Sequence, residues 1–375
     1  MRGLVAMLAL SLLPRAADAQ RWSVDAAVGG DVSLHPDPRG FGIVVVDVRG
    51  QGFANGDLRF TLNTDTLQVG LENIAVTPRV QLNVFARGEG LFAGMLPTYL
   101  ARGERIAPRQ FFASYAQVAA SVKWLPQDHH ALELVLGARR WFFTGNDDTA
   151  IRLPPEPFVF EPRLRYVYWD LRTPEGDTGP AVFHPRFEGL AAGVELGLDL
   201  RDVSFDAPPD TGLALRALRV RERPMFVRQW IRAGARVHRR LRVQIEQQAS
   251  YGVDEDDLTR PRVGGMNPYA VQIPGLPWPA LLSERLVAGL VSAHWRVVPH
   301  ADHELGVAFG AGGFNDPARR ADVDRYGFFA GAALFADLRW RRWIVHLRGG
   351  IALPNEWLDR TPHVGAFVLV RHAWQ

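Results

Sequence analysis

Hydrophobic and polar residues alternate with a period of two along most of this chain, most regularly from Met225 to Tyr251. Val227, Ile231, Ala233, Ala235 and Val237 hold odd positions, while Arg228, Arg232, Arg236 and His238 hold even ones. Beyond Arg239-Arg240, Leu241, Val243 and Ile245 alternate with Arg242, Gln244 and Glu246. A two-residue period sends the two sets to opposite faces of a β-strand, so the stretch predicts a hairpin with one apolar and one charged face. Each arm runs about 12 residues, roughly twice the usual strand of a soluble protein. A tilted strand of about 9–11 residues crosses a bilayer as part of a closed barrel.

The same alternation marks strands across the rest of the chain. Trp22, Val24, Ala26 and Val28 face away from Ser23, Asp25, Ala27 and Gly29, and further segments come at 44–49, 58–63, 67–76 and 79–87. Others lie at 112–124, 132–139, 158–168, 190–200, 284–298, 303–314, 326–340, 342–353 and 363–374. Alternation is cleanest at 190–200 and weakest at 284–298, whose facing the pattern leaves open.

The connections between strands carry their own signal. Short turns at 125–130, 238–240, 298–303 and 340–342 interleave with long connections at 88–110, 202–224, 252–283, 315–325 and 354–362. Bacterial barrels have short periplasmic turns, longer external loops and an even strand number. Counting back from the C-terminus makes 79–90 an upward strand, which must carry an odd number. That parity requires 57–76 to be two strands, divided at 63–66, for 16 in all, or 14 if 22–35 is a lead-in. The connection at 172–187 is the exception, an unusually long turn on the periplasmic side. The expected fold is therefore all-β: a transmembrane antiparallel up-and-down barrel of about 16 strands over residues 20–375.

Residues 1–19 read as a signal peptide, with basic Arg2, an apolar run at 4–13 and the small-residue cleavage pattern Ala17-Asp18-Ala19. This predicts export and an outer-membrane location. Cysteine is absent, which excludes disulfide and thiolate chemistry. Mean hydropathy is −0.07, ordinary for a soluble protein, but half of each barrel strand is polar and hides the membrane band from hydropathy. The outward faces end in aromatics, namely Trp124, Phe142, Tyr166, Tyr168, Trp295, Trp340, Trp343 and Trp374, as membrane–water girdles do.

Net charge is only +3, with Lys123 the sole lysine among 43 cationic residues. Arginine holds planar anions through two parallel hydrogen bonds, so its placement matters wherever it faces a water-filled lumen. Arg228, Arg232 and Arg236 on one strand and Arg242 on its partner form an expected cationic ladder. Arg163, Arg165, Arg201 and Arg348 are expected across the lumen, mixed with Glu161, Glu195, Asp199 and Glu246. Rings of arginine favour anions in a pore, whereas opposite charges paired between strands would fill the lumen. Asp254, Glu255, Asp256 and Asp257 open the longest loop, as part of a lid, as carboxylates bridged through a divalent cation to lipopolysaccharide, or as solvated loop charge.

Gly-rich phosphate loops, a G-x-S-x-G elbow and H-E-x-x-H are all missing. His129-His130 and the pair His300 and His303 fall in short turns and read as polar turn residues. His346 and Asp337 face the lumen on neighbouring strands with no nucleophile evident beside them, so no enzyme, cofactor or metal is expected. Expected partners are outer-membrane lipid and lipopolysaccharide, the barrel-assembly machinery and a periplasmic export partner, with no nucleic acid.

As a whole the chain resembles bacterial outer-membrane β-barrels. Its C-terminal alternation Val368, Val370, His372, Trp374 is similar to the terminal signal read by the barrel-assembly machinery, although Gln375 follows the aromatic. The segment RVGGMNPYAVQIPGLPW followed by SERLVAGLVSAHWRV, within 262–298, resembles the barrel of the surface-antigen (assembly-factor) family. That resemblance implies a loop reaching into the lumen, with Asn267-Pro268-Tyr269 standing where the family carries an Arg-Gly pair. Strand patterning begins directly after the leader, so the periplasmic repeat domains of that family are not expected. Two functional expectations result: a channel for anionic or polar solutes, polysaccharide export among them, or a non-conducting surface-antigen-like barrel with an envelope assembly or scaffold role, plugged by 252–283.

Overall fold

Each alternating segment pairs with its chain neighbour, and the last returns to the first, so the sheet closes on itself. In the computed structural model, residues 22–374 are described apart from 36–38, 54, 65, 91–99, 102–103, 106–110, 146–151, 173–186, 207–218, 257, 260–261, 264–272, 277–280, 284, 299–302, 316–325 and 355–360. The expected signal peptide lies outside the described residues. The strands are β1 (Trp22–His35), β2 (Arg39–Phe53), β3 (Gly56–Asn63), β4 (Thr66–Thr77), β5 (Val80–Glu89), β6 (Phe111–Trp124), β7 (His130–Gly145) and β8 (Phe158–Arg172). They continue as β9 (Glu188–Leu198, resumed by Leu200–Arg201 after Asp199), β10 (Met225–His238), β11 (Leu241–Val253), β12 (Arg285–Arg296), β13 (Glu304–Asn315), β14 (Tyr326–Trp340), β15 (Trp343–Ala352) and β16 (His363–Trp374).

This is the 16-strand antiparallel barrel that turn phasing required. The division it demanded falls at Thr64, where β3 turns into β4 with Asn63 opposite Thr66 and φ at +46°. Trp22–His35 is no lead-in. It pairs with β2 along its length and with β16 from Val24↔Trp374 to His35↔Val364, making the closing seam. Inside that seam Arg371 Nε donates to both carboxylate oxygens of Asp25, at 2.8 and 2.9 Å.

The two faces of the sheet meet different solvents. Outward positions carry large apolar side chains that a soluble protein would bury; Leu334 is 70% exposed, and Val28, Leu134, Leu136, Leu164, Val287 and Val307 are all exposed. They form the lipid-facing band, bounded by exposed Trp124, Trp295, Trp340 and Trp343 at the short-turn end and by Phe158, Tyr326 and Phe328 at the other. The inward face buries Asp25, Asp47, Glu161, Asp199, Arg201, Arg242, Glu304, Asp337 and Arg371. Buried charge persists only when it is paired, so the lumen wall must be built of ion pairs.

One facing differs from the pattern. The β10–β11 register slips between Arg236 and His238, and the bulge turns His238 outward, where its ring stacks on Trp295 at 6.4 Å. An extra residue in one strand reverses the facing of the residues beyond it, which strict alternation cannot anticipate.

Candidate functional site

The eight arginines singled out by their spacing all lie on inward positions, and the structure gives each of them acidic company. Arg228 reaches Glu255 at 3.3 Å, Arg232 reaches Glu246 at 3.1 Å and Arg236 reaches Glu188 at 2.7 Å. Arg242 lies 3.3 Å from Glu304 and 3.4 Å from Glu188. Arg165 pairs with Glu195. Arg348 interacts with Asp31 and Glu246, and its guanidinium stands 5.3 Å from the centroid of the Phe367 ring. Arg163, Arg165 and Arg201 do not face the ladder from across the lumen. They sit beside it, because an up-and-down meander places β8 and β9 next to β10, with Glu195 directly opposite Arg228. Arg348, on β15, holds a more distant part of the wall.

Charges of opposite sign alternate along this wall without a break. From β7 to the β11–β12 loop the order is Arg139, Glu161, Arg163, Asp199, Arg201, Asp256, each paired with the next, at 3.2 Å for Glu161–Arg163 and 3.3 Å for Asp199–Arg201. Its last member belongs to the acidic cluster, which folds inward. Glu255 and Asp256 are fully buried at their side chains, against Arg228 and Arg201 respectively. Asp256 also accepts from the amides of Arg221 at 2.6 Å, Leu258 at 3.1 Å and Thr259 at 3.2 Å. Two of the four clustered carboxylates are therefore turned away from any external cation. Asp254 stays exposed at the strand end with φ at +54°, and Asp257 lies outside the described residues.

The same loop reaches further in. Ile273 and Leu276 are buried among lumen-facing Leu286, Ala288, Phe314, Phe329 and Ala352. Backbone approaches backbone here: a Cβ built on Gly331 would lie 2.0 Å from the Pro274 carbonyl oxygen, and one on Gly350 3.0 Å from the Gly275 amide nitrogen. Gly275 adopts φ +79°, and its own Cβ would meet the Ala352 nitrogen at 2.1 Å, so only glycine fits. Gly310 and Gly365 complete the bed. The apolar inner positions of β12 explain why alternation at 284–298 was weak: that face packs on the inserted loop, not on water. Asn267-Pro268-Tyr269 lies outside the described residues.

At the short-turn end the wall holds a polar cluster that the spacing did not reveal. His294 (β12), Glu304 (β13) and Asp337 (β14) converge, all buried, and Ser292 Oγ lies 3.0 Å from His294 Nε2. His346 bonds Asp337, as their neighbouring strands suggested. Ser292 and His294 went unnoticed because their strand alternates poorly. The turn histidines find local partners: His129 Nδ1 lies 2.8 Å from the Trp169 carbonyl oxygen, and His130 Nδ1 2.8 Å from the Tyr166 hydroxyl. His303 Nδ1 accepts from the Arg339 amide at 3.1 Å, and His300 lies outside the described residues.

A closed antiparallel barrel with a lipid-facing apolar band, two aromatic rims and an ion-paired lumen is an outer-membrane β-barrel. Solved structures agree on that class. The chain superposes on BamA from Haemophilus ducreyi with a TM-score of 0.60, 11% identity, and coverage of 96% of this chain and 71% of that one. It is also similar to CdiB from Acinetobacter baumannii (TM-score 0.53, 10% identity, 94% of this chain, 60% of that one). OprB from Pseudomonas putida gives a TM-score of 0.51 at 9% identity, with 95% of this chain and 94% of that one covered. No protein-family model and no curated protein sequence matches the chain.

Proposed function

We propose that the protein is a lidded outer-membrane channel for anionic or polar solutes, closed at rest by its own β11–β12 loop. The observation that carries this reading is the seating of Pro274-Gly275 against Gly331 and Gly350, a backbone contact that a loop lying outside the barrel would not make. The lid and the ladder then work together. While the lid is in, Glu255 and Asp256 neutralise Arg228 and Arg201. When it leaves, those two guanidiniums each lose a carboxylate partner and face an aqueous path, where arginine favours anions and planar carboxylate or phosphate groups. A barrel of 16 strands is wide enough for such a path once the lid is out. Anionic polysaccharide leaving the cell through a periplasmic export partner fits this class of solute.

Planar-bilayer recording tests it. The intact protein is expected to be nearly silent, and a variant lacking 254–282, which removes Glu255 and Asp256 with the loop, to give ohmic steps selective for anions, less so when Arg228 is changed to Ser. Equal, steady conductance in both proteins would overturn the lid. A second reading, a permanently plugged barrel with an assembly or scaffold role, is favoured by the likeness to BamA and would be left standing if the deletion variant folds but never conducts.

A further inference from the structure

The cluster at the short-turn end of the lumen has no part in the lid and meets the arginine wall at Arg242. We propose that His294, Glu304 and Asp337 bind a divalent transition-metal ion of the zinc class. The three residues stand on adjacent strands, with Glu304 directly opposite Asp337 in the β13–β14 register and His294 one strand over. Their exposures are 3%, 2% and 0%, and one ligand atom from each lies within 4.8 Å of the others. His294 Nδ1 is 3.5 Å from Glu304 Oε2 and 3.8 Å from Asp337 Oδ2. Donors about 2.0–2.2 Å from a tetrahedral zinc ion are separated by roughly 3.3–3.6 Å, so small side-chain rotations would complete the site.

Two further observations point at a ligand. His294 Nδ1 is buried and makes no hydrogen bond. The opposite ring nitrogen, Nε2, lies against Ser292 Oγ; with Nε2–H donating to that oxygen, the lone pair is left on Nδ1, aimed at the two carboxylates. A ligating histidine normally donates its other N–H in this way. The carboxylates are held similarly. Arg242 Nη2 donates to Glu304 Oε1 at 3.3 Å, and His346 bonds Asp337 Oδ1, which turns Oε2 and Oδ2 towards His294. Two buried carboxylates facing each other repel. A dication between them, with one neutral imidazole, relieves that repulsion.

The test uses the full-length barrel folded in detergent, stripped with EDTA, and titrated with Co2+ and then Zn2+. One equivalent of Co2+ is expected to give a visible ligand-field spectrum that Zn2+ displaces. His294→Ala and Asp337→Asn should each weaken binding by about 100-fold or more, and Ser292→Ala by about 10-fold, as loss of an outer-shell partner does. Each variant is checked for wild-type mobility on an unheated gel, so that a folding failure is not read as lost binding. The proposal is overturned if folded wild-type protein takes up no stoichiometric metal at micromolar concentration. It is equally overturned if binding survives His294→Ala but disappears with His129→Ala/His130→Ala.

Discussion

Replacing Asp256 by Ala should loosen the base of the lid by a predictable amount. Its carboxylate and the Arg201 guanidinium are both fully buried at the side chain, so neither is rescued by water when the other is lost. Removing one partner of a buried pair costs about 3–5 kcal/mol, mostly because the survivor is left desolvated. Arg201 keeps Asp199 at 3.3 Å, which argues for the lower end. Against this, Asp256 also anchors the amides of Arg221, Leu258 and Thr259, so the change withdraws an acceptor from three donors. About 3 kcal/mol remains as the working figure, which raises the population of the opened loop roughly 100-fold. Limited trypsin digestion reads that population directly when opening is faster than cleavage, with the Arg262–Val263 bond as the target. The first cut in folded Asp256→Ala should come about 100 times sooner than in the wild type. Asp254→Asn, which changes an exposed neighbour whose positive φ asparagine tolerates, should leave the rate unaltered. If both variants are cut at the wild-type rate, the inward loop is not held by Asp256 and the reasoning fails.

Two other perturbations address the lid and the seam. A Cβ on Gly350 would lie 3.1 Å from Pro274 Cβ, a few tenths short of the roughly 3.5–4.5 Å a disulfide uses, and the chain has no native cysteine to compete. Pro274→Cys/Gly350→Cys should therefore cross-link on mild oxidation, shown by a reductant-sensitive gel shift; free thiols after oxidation would count against the seated lid. Asp25→Asn, which breaks the bidentate contact to Arg371, should lower stability to urea by about 2–3 kcal/mol. Arg236→Gln at its half-exposed pair with Glu188, which keeps Arg242, should cost under about 1 kcal/mol, and equal losses from the two would refute the distinction.

Strand pattern and turn length were enough to place the barrel, because alternation is a local property and membrane barrels enforce it on every strand. The division at Thr64 shows how far this goes: parity called for a turn there, and Asn63-Thr64-Asp65-Thr66 supply the polar turn residues for it. What alternation could not supply was partnership. It put Arg228 and Arg201 on the inner face but could not say that Glu255 and Asp256, 27 and 55 residues further on, would fold back to meet them. It also treated the lumen as wet throughout. The apolar inner positions of β12 were legible as a departure from that rule at 284–298, and Gly310, Gly331 and Gly350 mark where the inserted loop lies against the wall. His294 and Ser292 were hidden by the same departure.

The Arg371–Asp25 contact has a consequence for how the molecule is made. Other neighbouring strands succeed one another along the chain, so each hairpin can form from a short stretch of sequence. This contact joins residues 346 positions apart. Non-local pairing of this kind makes folding slow, since chain entropy must be given up before the contact rewards it. Until β16 has arrived, β1 presents an unpaired edge with a carboxylate on its inward face. Such edges invite pairing with foreign chains. The barrel therefore depends on its final twelve-residue strand to become a finished object, and the seam ion pair marks the moment of completion.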